Sequence, residues 1–346
     1  PWMRPSARVP SLPAGARALP ADRHAATPAP AAPPDSVHRP HPPRGVAAVT
    51  SKQVDLFLDG LINAPIKDDR ALMEFPFFSL QKAPRMRPLV YDDGKIRIEV
   101  RPGDRGIATI WDKDVLIYVA SIINDRLERG LPVERTIRFN AHNLLQVTGR
   151  GSGKRAYELL LDAMFRLRST TIVTSIEAGD VRERRGFGWI ETFRIIERRT
   201  AAGKKVMAAC EITLNDWMFR AIAKDRRVLT INPGYFDLGM GLKRRLYELA
   251  RKHCGYQERW VITLPKLIEK CGSVLEPRFF KPQLKRVVTE DDLPDYHVAM
   301  GFDPAERPAG AAGDGLDVRR WASNERILIT FWPRAAAPLE LLAPAG

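Results

Sequence analysis

Residues 137–170 read IRFNAHNLLQVTGRGSGKRAYELLLDAMFRLRST, and the fold turns on this stretch. Ile137–Phe139 has the alternation of a short strand. Asn140 follows it, a residue whose side chain caps helices by accepting an N–H of the first turn. The spacing predicts a brief amphipathic helix that stops at Gly149, then a Gly/Ser turn. A longer helix is predicted from Ser152 to Arg168, with Leu160, Met164 and Leu167 on one face. Arg150, Ser152, Lys154 and Arg155 stand at its entry. Two helices joined by a tight glycine turn, the second entered through cations, is what a helix-turn-helix requires.

The pattern recurs. Residues 260–288 read WVITLPKLIEKCGSVLEPRFFKPQLKRVV. Moved back by 123 positions without a gap, Thr263 falls on Asn140, Leu267 and Ile268 on Leu144 and Leu145, and Gly272 on Gly149. Arg278 falls on Arg155, Phe280 on Tyr157 and Leu284 on Leu161. The chain therefore reads as two copies of one DNA-reading unit.

Composition agrees with that reading. The 346 residues suffice for two domains with cores of their own. Lys and Arg total 55 against 41 Asp and Glu, a net charge of +14 that favours polyanionic partners, nucleic acid first and an acidic membrane surface second. Three scattered cysteines imply a reducing compartment rather than a disulfide framework. No apolar run approaches the roughly 20 residues that cross a bilayer, and no signal-peptide core is present. The expected location is the cytoplasm, with no membrane partner.

Residues 1–50 form a Pro/Ala-rich tail that cannot bury a core and is expected to be disordered. The sequence begins at Pro1 without a Met, which suggests that this tail belongs in part to an over-long gene start. Order is expected from about Ser51, with Lys67–Arg70 on a polar turn. A hairpin follows, PLVY and KIRIEV around Asp92–Gly94, and then a helix from Asp112 to Arg129 closed by Gly130. After the first helix-turn-helix, TTIVTSI and IETFRIIE read as strands flanking an arginine-rich loop, GDVRERRGFG. That order makes the loop, with Arg182, Arg184 and Arg185, the tip of a wing. A first winged-helix domain is thus expected over 51–200, a linking strand and helix over 201–235, and a second winged-helix domain over 236–335. This second domain opens with the helix GLKRRLYELARKHC. Residues 303–325 read as a linker, ERILITFWPR as a late strand, and 336–346 as a disordered tail.

Basic residues at helix starts suit phosphate, because the first turn of a helix offers unpaired N–H groups and partial positive charge. Glu158 and Asp162 weaken the first of the two second helices as a DNA reader. The later helix is better suited: Arg278, Lys281, Lys285 and Arg286 are basic, Gln283 can bond a base edge, and no acid follows until Glu290. Pro282 is expected to kink or restart it. The turn GRGSGKR fails as a nucleotide-binding P-loop, since Thr148 replaces the first glycine and Arg155 the metal-binding hydroxyl. His253, Cys254 and Cys271 lack the spacing of a zinc site, and the Asp68/Asp69, Asp92/Asp93 and Asp291/Asp292 pairs sit in turn-like contexts. No His-hydrophobe-His motif accompanies a tyrosine, as nickases need. No cofactor, metal or enzymatic activity is expected.

The stretches IKDDRALMEFPFFSLQKAPRMRPLVY, GIATIWDKDVLIYVASIIN, the first helix-turn-helix and RFFKPQLKRV make the chain resemble the replication initiator protein A family of bacterial plasmids, over roughly 52–300. The resemblance accounts for Pro282. It implies an α+β protein of two tandem winged helices that binds repeated duplex sites at an origin, promotes local melting and recruits host helicase machinery. It also implies a homodimer through the first winged helix, with the second making the main base contacts. The rival readings are a promoter-binding regulator of the same fold and, in another class, a nicking enzyme.

Overall fold

The computed structural model describes residues 65–334 apart from 95, 179–180, 200–202, 204, 256 and 303–325. The two expected tails, the start of order at Ser51 and the linker 303–325 lie outside the described residues.

The chain opens with β1 (Lys67–Asp69) and α1 (Arg70–Glu74), followed by the hairpin β2 (Leu89–Asp92) and β3 (Ile96–Arg101) and by α2 (Lys113–Glu128). The expected polar turn at Lys67–Arg70 is instead strand β1, which pairs antiparallel with β9 (Val228–Thr230). Asp68 and Asp69 are fully buried there. Asp69 caps α1 by accepting from the amides of Ala71 and Leu72 at 2.8 and 3.2 Å.

Next come β4 (Thr136–Phe139), α3 (Ala141–Val147) and α4 (Lys154–Ser169). Asn140 caps α3 by accepting from the His142 amide at 2.8 Å, and the turn passes through Gly149 at φ +65°. α4 begins at Lys154, two residues beyond the expected start at Ser152. Its inward face buries Leu160, Ala163, Met164 and Leu167 completely, each large apolar side chain contributing about 1.5–3 kcal/mol.

The next strands differ from expectation. β5 (Thr171–Ala178) pairs with β6 (Val181–Phe187), and this hairpin extends β2 and β3 into a four-stranded sheet ordered β2-β3-β5-β6. The arginine-rich segment is therefore an edge strand and not the tip of a loop. Its four consecutive charged residues, Arg182–Arg185, are why the composition reads as loop. Separately, β7 (Ile190–Arg199) and β8 (Lys205–Leu214) form a hairpin, with β8 between β7 and β4. The strand assigned to a linker is thus the centre of the first unit's three-stranded sheet.

After α5 (Asp216–Ala223), β9 and a 3₁₀ turn (Pro233–Asp237), the second unit begins with α6 (Gly241–His253). It continues through β10 (Trp260–Thr263), α7 (Leu264–Cys271), α8 (Pro277–Glu290), β11 (Tyr296–Phe302) and β12 (Ile327–Pro333). Its sheet is ordered β10-β12-β11, the same topology as β4-β8-β7. Both units run helix, strand, helix, turn, helix, hairpin, with β5 and β6 inserted ahead of the hairpin in the first. The later strand of the hairpin lies in the middle and the strand before the helix pair at one edge.

The gapless offset aligns the caps, the glycine turns and the starts of α4 and α8. It aligns the buried faces only in part: Val287 and its counterpart Met164 are both buried, whereas buried Phe280 and Leu284 correspond to half-buried Tyr157 and Leu161, and buried Leu160 to half-buried Gln283. α8 also continues through Pro282, where a kink is expected; the ring forgoes one backbone bond inside a helix held by its buried face.

Each unit has its own apolar cluster. Met73 and Ile117 reach from the first unit into the second cluster. Between the clusters lies a seam of buried charge. The Lys113 ammonium, at the start of α2, is 2.6 Å from Asp68 and 2.8 Å from Glu248 of α6. Asp114 is 2.6 Å from Arg244 of α6 and 2.9 Å from Arg150 of the first turn. Arg245 donates to Glu248 and to the carbonyls of Met73, Glu74 and Lys270. Arg244 and Arg245 therefore join the two units, while Lys243 pairs with Glu290 and Asp292 inside the second.

Candidate nucleic-acid interface

At the entry to α4, Ser152, Lys154 and Arg155 are exposed, the lysine side chain at 91 % and the arginine at 75 %. Both cations lie near Glu158, at 3.7 and 3.4 Å. Asp162, the second acid of this face, is paired with Arg105, so it is compensated from outside the helix. Arg150 points away from this group. Its guanidinium is bonded to the Trp111 carbonyl and to Asp114, so it holds the first turn against α2.

α8 presents a different surface. Arg278 is 70 % exposed, 2.8 Å from Glu276, with its guanidinium 4.7 Å from the Phe279 ring centroid. Arg286 pairs with Glu290 at 2.7 Å, Lys285 is exposed and Lys281 is half-buried. Gln283 donates back to the Phe279 carbonyl at 3.5 Å. Glu276 lies just ahead of the helix and escapes a reading that counts acids only within it. These are exposed pairs, which water screens, so a phosphate can displace the carboxylate at small cost.

The third expected group is not brought to either helix start. Arg184 and Arg185 are exposed on β6, within the four-stranded sheet, and the side chain of Arg182 lies outside the described ones. A group that sequence reasoning missed lies at the second turn. Arg85, Met86 and Arg87 line a cleft of about 440 Å³ with Ser273, Val274 and Gln283. The available signal was the absence of any acid between Glu74 and Asp92.

The remaining reactive side chains have structural surroundings. His253 stacks on Trp260 with ring centroids 4.7 Å apart; burial and then the nearby Lys270 push its imidazole down to about 4. Burial raises the thiols of Cys254 and Cys271, the latter to about 12. Asp68 is pushed up to about 7 by burial, and Lys113 only partly offsets this. Its two carboxylate neighbours outweigh burial at Lys113 and keep that ammonium above its ordinary range. Among the described residues no group of three or more His, Cys, Asp or Glu is placed to hold a metal ion, and no helix is long and apolar enough to cross a membrane.

Fold and surface together define a mixed α/β protein built from two units of like topology, each with a helix entered through cations. The sequence pattern of the replication initiator protein A family matches residues 67–298. A protein of Wigglesworthia glossinidia brevipalpis, provisionally named a replication protein, is 36 % identical over 228 residues, covering 65 % of this chain and 82 % of that relative. Among solved structures, domains 2 and 3 of RctB superpose with a TM-score of 0.54 at 13 % identity, covering 78 % of this chain and 99 % of that one. The likeness to RctB is one of fold. The chain belongs to the replication initiator protein A family.

Proposed function

We propose that this chain initiates plasmid replication by binding repeated duplex sites at an origin through two winged helices, without itself catalysing a bond-breaking step. One observation carries the reading: the same topology occurs twice, and in each copy the second helix of the pair begins with exposed cations. In this reading α4 and α8 are the recognition helices and enter successive major grooves on one face of the duplex, about one helical turn apart. The hairpins β7–β8 and β11–β12 are the wings. Lys154, Arg155, Lys281 and Arg286 neutralise phosphates, while Arg278, Gln283 and Lys285 read base edges.

The two helices divide the work. α4 carries Glu158 against its own cations, and its outer face exposes Leu159 and Phe165 at 40 and 37 %. Such a face suits a second copy of the chain better than a phosphate backbone, so the first unit dimerises and the second makes the main base contacts. Local melting of the origin and recruitment of the host helicase follow binding.

The test is a gel shift on the cognate repeats. Reversing charge at Lys281 and Lys285 abolishes specific binding and leaves the far-ultraviolet circular dichroism unchanged. Unchanged affinity in a folded variant refutes the reading.

A further inference from the structure

Phe75–Tyr91 reads FPFFSLQKAPRMRPLVY and holds Lys82, Arg85 and Arg87 without an acid. Its middle is a fixed arm. The Ser79 amide donates to the Ala108 carbonyl at 3.0 Å, the Ile110 amide to the Ser79 carbonyl at 2.9 Å, and the Ile107 amide to the Arg85 carbonyl at 3.0 Å. Arg85 turns back on its own backbone, donating to the carbonyls of Arg87 and Pro88 at 3.2 and 3.1 Å. The arm is pressed onto the second unit at two points where only glycine fits. A Cβ on Gly241 would meet the Leu80 carbonyl oxygen at 2.2 Å, and one on Gly272 would meet Pro76 Cβ at 2.6 Å.

The arm lies along the cleft at the second turn and approaches the first turn through Trp111. The Lys82 ammonium is 5.2 Å from the Trp111 ring centroid, and the Trp111 carbonyl accepts from Arg150 of the first turn. At the other end, Arg87 faces Ser273 and Val274 of the second turn, and Gln283 of α8, across the same cleft. The exposed cations Lys154, Arg155, Arg278 and Arg286 each have a carboxylate within 4 Å. Among the described residues Lys82 and Arg87 have none, so their charge is uncompensated.

We infer that Gln81–Pro88 is a further DNA-contacting element, with Lys82 and Arg87 on the phosphates that run between the two major-groove sites. The inference rests on the duplex-binding reading above. Two helices docked in successive major grooves leave the intervening minor groove and its bordering backbones facing whatever joins them. A fixed arm at the second turn, tied toward the first through Trp111 and carrying cations without a carboxylate partner, fits that backbone. Contacts of this kind add affinity and register and carry no base preference.

The experiment is fluorescence anisotropy with a labelled random-sequence duplex of about 40 base pairs, roughly four helical turns. Binding is followed from about 50 to 200 mM salt, a range over which phosphate contacts change affinity strongly. The chain is compared with Lys82→Gln/Arg87→Gln and with Arg129→Gln/Arg220→Gln, which removes equal charge from helix surfaces elsewhere. Losing two phosphate contacts lowers the slope of log affinity against log salt by about 1.8, so over that range the unaltered chain loses about 12-fold more affinity than the arm variant. The control variant keeps the slope of the unaltered chain, and all three share one melting temperature. If the unaltered chain fails to bind the duplex at low salt, the duplex-binding reading falls and takes the arm with it. If it binds but the arm variant keeps its slope, or loses no more than the control, the arm alone is overturned.

Discussion

Lys113 is a buried lysine whose ammonium lies between Asp68 and Glu248, so one cation serves acids from two distant parts of the chain. Removing it leaves Asp68 in the interior without a cation, while Glu248 keeps Arg245 and the Tyr235 hydroxyl, and losing one member of a buried pair costs about 3–5 kcal/mol. Lys113→Met should therefore lower the unfolding free energy by about that amount in urea denaturation, and a loss of under about 1 kcal/mol would contradict the role. An exposed pair such as Arg97 and Asp92, at 2.9 Å, is worth at most about 1 kcal/mol. None of this was legible in the sequence. Asp68 and Asp69 read as a polar turn because charged residues are normally solvated, and their partners lie far along the chain. Arg150 was misleading for the same reason: its place at a helix entry was visible, its bond to Asp114 was not.

At the scale of elements, the two glycine turns look alike and are built differently. Gly149 and Gly272 both sit at φ above +60°, which penalises any side chain. A Cβ on Gly149 would find its nearest neighbour, Asp237 Oδ1, at 3.7 Å, whereas one on Gly272 would run into Pro76. Gly149→Ala should cost about 1–2 kcal/mol from backbone strain alone. Gly272→Ala should cost roughly twice that, since overpacking adds about 1–3 kcal/mol. Chemical denaturation of the two variants decides it, and equal losses would contradict the packing of the arm against the second turn. The strand, cap, turn and second helix were readable in both copies because their signals lie within a few residues of one another. The apolar spacing of Phe280, Leu284 and Val287 made the inward face of α8 readable as well, although Phe279 beside them is 53 % exposed. The β6 edge strand was hidden by its polarity and by a pairing partner that only the folded sheet supplies.

Over the whole molecule, the sequence announced two units and a basic surface, while the structure adds how they are joined. The excess charge is not spread evenly. Lys113, Arg244 and Arg245 are spent inside the seam, while the entries of α4 and α8 and the Gln81–Pro88 arm carry cations outward. The seam fixes one unit against the other, so under the proposed duplex-binding reading the two helices require a fixed spacing on DNA. The most direct test is methylation interference at guanine N7, which lies in the major groove, on a duplex selected for binding by the protein. The account predicts two blocks of interference on one face of the duplex, their centres about 10 base pairs apart. A single block, or two blocks on opposite faces, would contradict it.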